Sequence, residues 1–168
     1  MTCGFTLPEL VVGIGVGSLL AVLALGRTSD QWARVQVETA ARRLVVGIER
    51  GRDAAERAGV GCALALSADG WRGSASIGAV ACGGADTELA EGLVPVDVLI
   101  GSTFTHPLRF TANGLAIDGG TVVVGHPGTA LVRCVVVSPP LGVMRVGRYG
   151  AAMSAVPLAS KCLPDPTL

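Results

Sequence analysis

Lysine is almost missing from this 168-residue chain: Lys161 is the only one, and no Gly-x-x-x-x-Gly-Lys loop exists to cradle a phosphate. Neither a Gly-x-Ser-x-Gly elbow nor a His-Glu-x-x-His pair occurs, which removes the usual hydrolase signatures. The two histidines, His106 and His126, each precede proline, and there is no Cys-x-x-Cys, so no metal site and no cofactor are expected. Ser102, His106 and Asp97 can be assembled on paper into a triad, but nearness in sequence says nothing of geometry. The chain is therefore read as a non-enzyme with no small-molecule substrate. Aromatic residues make up only 4% and charged residues 15%, while half of the chain is apolar, a composition that excludes disorder. Thirteen basic residues balance thirteen acidic ones, so net charge points to no polyanion partner. The length suits one domain.

The apolar content is concentrated near the amino end. Leu10 to Gly26 is a run of seventeen residues without a charge, and back to Phe5 it becomes twenty-two residues with Glu9 as the one charged group. As a helix that stretch is roughly 33 Å long, against about 30 Å for a bilayer's hydrocarbon core, so it is expected to span a membrane. A secretory signal peptide fits poorly, because Met1 to Gly4 carry no Lys or Arg and an acid heads the run. Gly13, Gly15 and Gly17 sit inside the apolar run rather than after a strand, which argues against a nucleotide loop. Gly13 and Gly17 have instead the four-residue spacing that lets membrane helices approach closely.

The sequence Gly4-Phe5-Thr6-Leu7-Pro8-Glu9-Leu10 followed by this run resembles the class III signal of type IV pilins and pseudopilins. The resemblance implies cleavage by a prepilin peptidase between Gly4 and Phe5, methylation of the new amino-terminal Phe5, and a register-setting role for Glu9 during assembly. A carboxylate beside a buried helix is costly unless paired, and the amine created at Phe5 offers a partner. The four-residue leader, which includes Cys3, departs from the family pattern in lacking Lys and Arg.

From Arg27 to Arg57 charges alternate in sign, while Trp32, Val35, Val37, Ala40, Leu44, Val45 and Ile48 recur mainly at intervals of three and four, as an amphipathic helix requires. Glu49, Arg50 and Asp53 are read as its solvated face rather than as catalytic acids. Gly59 and Gly61 mark its end. Beyond them, short β-branched runs are predicted as strands over 62–67, 77–81, 94–99, 108–111, 115–117, 121–125, 130–138 and 142–146. Asn113-Gly114 is read as a tight hairpin turn with positive φ at both positions, and Asp118-Gly119-Gly120 as the next turn. The expected fold is α+β: a long helix, then an antiparallel β-rich head. Its segments are a leader at 1–4, a transmembrane and assembly segment at 5–26, an amphipathic continuation at 27–58, and a head at 59–168 outside the cytoplasm.

Leu108 to Gly114, Gly119 to Val124, Cys134 to Pro139 and Cys62 to Gly70 are similar to the GspH/FimT branch of minor pseudopilins and pilins. The resemblance implies other pilin subunits and the inner membrane as partners, in a type II secretion pseudopilus or a type IV pilus. Cys62, Cys82, Cys134 and Cys162 remain after the leader, an even number that allows three pairings. Cys62 with Cys82 and Cys134 with Cys162 is the preferred pairing, with free buried thiols as the alternative. Residues 58–132 carry two Arg against six acids, whereas 133–168 carry Arg133, Arg145, Arg148 and Lys161 against Asp165. Some FimT-like relatives bind DNA through a carboxy-terminal Gly-Arg-x-Arg motif, which this chain matches only in part. The alternative function is thus a DNA-binding minor pilin using Arg145 and Arg148 on phosphates and Tyr149 for stacking.

Overall fold

The computed structural model describes residues 6–90, 97–153 and 156–165, without the side chains of 21–28. One helix dominates: α1, Leu7–Ala58, has 52 residues and is about 78 Å long. Pro8 stands in its first turn, where a missing N–H costs nothing. It stops at Gly59, whose φ of 61° is left-handed and whose N–H donates to the Glu56 carbonyl, at the place where the sequence predicts a stop. Only the carboxy-terminal half of α1 carries the head. Ala33, Val37, Ala40, Ala41, Leu44, Ile48 and Ala55 are buried there, at the spacing of one helical face.

The head holds two sheets. The first is built around β1 (Cys62–Ser67), which pairs with β2 (Gly70–Gly73), β3 (Val80–Ala81) and β6 (Leu108–Phe110), while β4 (Thr87–Glu88) lies on the far side of β2. The second runs in the order β10 (Cys162–Pro164), β9 (Val143–Tyr149), β8 (Thr129–Ser138), β7 (Gly120–His126), β5 (Leu99–Ser102). Every pairing is antiparallel except β1 with β3, so the antiparallel expectation needs that one amendment. The largest core joins α1 to both sheets through Leu44, Ile48, Leu64, Trp71, Phe110, Val122 and Val135. A smaller core, with Val123, Val136 and Tyr149, lies on the outer face of the second sheet.

Several strand boundaries differ from expectation. Residues 115–117 form no strand, because Ala116 spends its N–H on Pro140 and makes only a single bridge to Phe110. Of the predicted 94–99 strand, 94–96 lie outside the described residues, and the observed strand begins at Leu99. The Asn113-Gly114 turn forms, with the Gly114 N–H donating to Thr111, but only Gly114 has positive φ. β2, β4 and β10 are two to four residues long and rich in Gly, Thr or Pro, so no hydrophobic alternation announced them.

The helix bears on two readings. Among the described residues, no helix is long and apolar enough to cross a membrane. Trp32 and Val35, expected on the packed face, are instead 58% and 54% exposed. They lie about 500° and 200° of rotation before Val37 at ~100° per residue, which turns both away from the core.

Candidate functional site: the mount of the head on the helix

The chemistry of this chain is concentrated where the head is fixed to α1. Trp71, fully buried on β2, donates its indole N–H to the backbone carbonyl of Leu44 at 2.9 Å. Gly47 and Gly51 make that approach possible. A side chain at Gly47 would meet Trp71 Cγ at 3.0 Å and Thr87 Cβ at 3.3 Å, and one at Gly51 would meet Phe110 at 2.8 Å and also strike Leu64. The two glycines are four residues apart and so share one face of the helix. The same spacing had drawn notice at Gly13 and Gly17, where open space surrounds both positions.

Arginines tie the surrounding loops to this seam. Arg43 donates to the carbonyls of Glu88 and Ala90 at 2.9 and 2.8 Å. One turn past Ile48, Arg52 donates from Nε to the Gly114 carbonyl at 2.9 Å and from a second nitrogen to the Leu141 carbonyl. The third tie comes from the sheet: Arg133 on β8 is 5% exposed, and its Nε donates to Glu38 of α1 at 3.1 Å while another nitrogen reaches Asp165. Burial opposes its charge, but the hydrogen bonds to Glu38 and Asp165 outweigh that cost and hold its pKa above the ordinary arginine value. Within the head, Arg109 meets both carboxylate oxygens of Asp118, at 2.7 and 2.9 Å. Hydrogen bonding from that guanidinium keeps the Asp118 carboxyl below its ordinary range.

The structure distributes the sequence-predicted residues unevenly. Gly4 and Phe5 lie outside the described residues. Glu9 is exposed in the first turn of α1, where the Thr6 hydroxyl donates to it at 3.5 Å. Two disulfides close, Cys62–Cys82 and Cys134–Cys162, the pairs preferred from the sequence. The paper triad does not assemble: the Ser102 oxygen accepts from the Phe104 N–H, and no hydrogen bond joins Ser102, His106 and Asp97 among the described residues. No group of three or more His, Cys, Asp or Glu placed to hold a metal occurs among them either.

The basic carboxy-terminal patch needs correcting. Arg133 is not a surface charge, since its guanidinium is committed to Glu38 and Asp165. Tyr149 is 6% exposed and its hydroxyl accepts from the Leu158 N–H, which leaves no ring face for stacking a base. Arg145 and Arg148 are three apart on β9, an odd interval that puts them on opposite faces of the sheet. Arg145 also donates to the Ala159 carbonyl at 3.0 Å.

Comparison with known proteins identifies what is built on this mount. The model of the family described as type II transport protein GspH matches residues 40–141, well over half of the chain. The chain belongs to the GspH family. No curated protein and no solved structure matches it. The matched segment starts on the packed face of α1 and runs through β8 to Leu141, so it contains Gly47, Gly51, Arg43, Arg52 and Trp71. GspH members are pseudopilins, structural subunits of type II secretion rather than enzymes, which associate with other pseudopilins and with the inner membrane.

Proposed function

We propose that this chain is a minor pseudopilin that prepilin peptidase cuts between Gly4 and Phe5, and that joins a type II secretion pseudopilus through the apolar part of α1. One observation carries the reading: among the described side chains of a single unbroken helix, the head buries those from Ala33 onward, while Leu7, Leu10, Val11, Val12, Ile14, Val16, Leu19 and Leu20 are exposed. Exposed aliphatic side chains in such density are costly in water, and lipid before assembly and neighbouring helices after it would cover them. Residues 1–4 then act as the leader, 5–26 as membrane and assembly segment, 27–58 as the mount, and 59–168 as a head outside the cytoplasm. Glu9 sets register by meeting the amine of a neighbouring Phe5.

The test is processing. Gly4→Leu should leave a full-length precursor, whereas the wild-type chain begins at Phe5 on amino-terminal sequencing. A Gly4→Leu protein that still begins at Phe5 would refute the leader assignment. The DNA-binding alternative receives no supporting observation, given the buried Tyr149 and the divided arginines.

A further inference from the structure

Two neighbouring residues of β8 hold the carboxy-terminal tail from opposite faces of the second sheet. Cys134 points to the outer face and is bonded to Cys162, at the start of β10. Arg133 points to the helix face, where one guanidinium takes Glu38 from α1 and Asp165 from the tail. The tail therefore forms the sheet's edge and at Asp165 reaches the buried pair that joins head to helix. Between them, Met153 packs on the outer face, where Gly125 leaves room for its sulfur, Leu158 and Ala159 bond to Tyr149 and Arg145, and Pro157 is fully buried. β10 itself is a weak hold. It offers three paired residues, one of them Pro164, which has no N–H to donate.

We propose that the Cys134–Cys162 disulfide is a latch that sets how firmly the helix is fixed to the head, by keeping Asp165 seated on Arg133 and the Arg133–Glu38 pair out of water. Ion pairs weaken steeply as water enters, so a tail that lifts would loosen the Arg133–Glu38 contact on α1. Closing the latch joins two thiols and passes two protons and two electrons to a disulfide-bearing oxidant by exchange. A chain whose thiols are still reduced has a looser mount than one matured in an oxidising compartment. That biological timing rests on the proposed function, which places the head outside the cytoplasm; the coupling between latch and helix does not. β10 and Asp165 both lie beyond the segment matched to the GspH family.

Hydrogen exchange on the full chain in detergent micelles tests this. In the Cys134→Ser/Cys162→Ser protein, amides of α1 around residues 33–41 should exchange about tenfold faster than in wild type. The Cys62→Ser/Cys82→Ser protein should leave that window unchanged. Arg133→Met should loosen the same window, and adding the serine pair to it should then change little further, since both act through one contact. Unchanged exchange without the latch, equal loosening from either disulfide, or fully additive effects would each overturn the proposal. Should the serine pair not fold, partial reduction of wild type, with the opened bond mapped by alkylation, gives the same comparison. Cleavage at Gly4 is measured separately, so a failure of either reading shows on its own.

Discussion

Replacing Gly47 with alanine isolates the close approach of the head to the helix. On an exposed helix the change is favourable by up to about 1 kcal/mol, because glycine loses more backbone entropy on folding. Here the new methyl would strike Trp71, with the Trp71 Cγ at 3.0 Å and the Thr87 Cβ at 3.3 Å. Trp71 is 1% exposed and anchored to the Leu44 carbonyl, so it cannot swing aside without giving up that bond. Overpacking a dense core costs about 1–3 kcal/mol, and an indole N–H and carbonyl left unpaired in the interior add about 1 kcal/mol or more. The balance is a net loss of roughly 2 kcal/mol, which for a domain of this size lowers Tm by about 4–8 °C. Chemical denaturation followed by Trp71 emission measures it. The chain has two tryptophans, and a Trp32→Phe background leaves Trp71 as the sole reporter. In a Trp71→Leu background, followed by circular dichroism instead, the cost should shrink, because the smaller side chain admits the methyl. A Gly47→Ala protein as stable as wild type, or one whose cost is unaltered by Trp71→Leu, would refute the argument that the glycine is there for the tryptophan.

Three further outcomes are expected. Because the Arg109 guanidinium lowers the Asp118 pKa, the pair's contribution is present above the unfolded carboxyl pKa of about 3.9 and fades as pH falls through the lower folded value. Asp118→Asn should therefore cost about 1 kcal/mol near pH 7 and progressively less in acid, and a penalty that stays constant to pH 2 would contradict the pairing. Glu9→Ala should keep the protein in the membrane fraction yet lower its recovery with sheared filaments, so undiminished recovery would count against a register role. Arg145→Ala and Arg148→Ala should leave DNA retention in a gel shift unchanged, since the two side chains sit on opposite faces of β9. A clear loss of retention in both variants would reopen the DNA-binding alternative.

What the sequence disclosed was mostly local. Gly59 ends α1 because a left-handed position there suits glycine alone, and β7 and β8 follow from runs of valine that pack on a pleated surface. Periodicity fails at Trp32 and Val35 for a geometric reason: neither keeps phase with Val37, and both residues fall on the far side of the helix. The mount was largely invisible because its contacts are distant in sequence. Arg43 reaches across 45 and 47 residues, Arg52 across 62 and 89, and Arg133 across 95 to Glu38. On a helix whose charges alternate, nothing local distinguishes an arginine aimed at a loop carbonyl from one aimed at water. Gly47 and Gly51 were within reach, since glycine inside an amphipathic helix is unfavourable unless something approaches it closely.

The scarcity of lysine acquires a structural meaning at this seam. Each of four arginines serves two acceptors at once: Arg43 two carbonyls of one loop, Arg52 carbonyls of two different loops, Arg109 both oxygens of Asp118, and Arg133 carboxylates from the helix and the tail. A guanidinium can do this because its five N–H groups lie in one rigid plane, so a second bond adds little further loss of side-chain freedom. An ammonium would keep the charge but lose the rigid spacing between donors. At Arg52 the consequence is specific, because the two carbonyls belong to the turn after β6 and to the loop before β9, which together close the head over the end of α1. Lysine there would offer the two carbonyls one nitrogen on a flexible stem in place of two spaced donors held in a plane. The head is thus held on its helix by forked donors in a chain that has only one lysine.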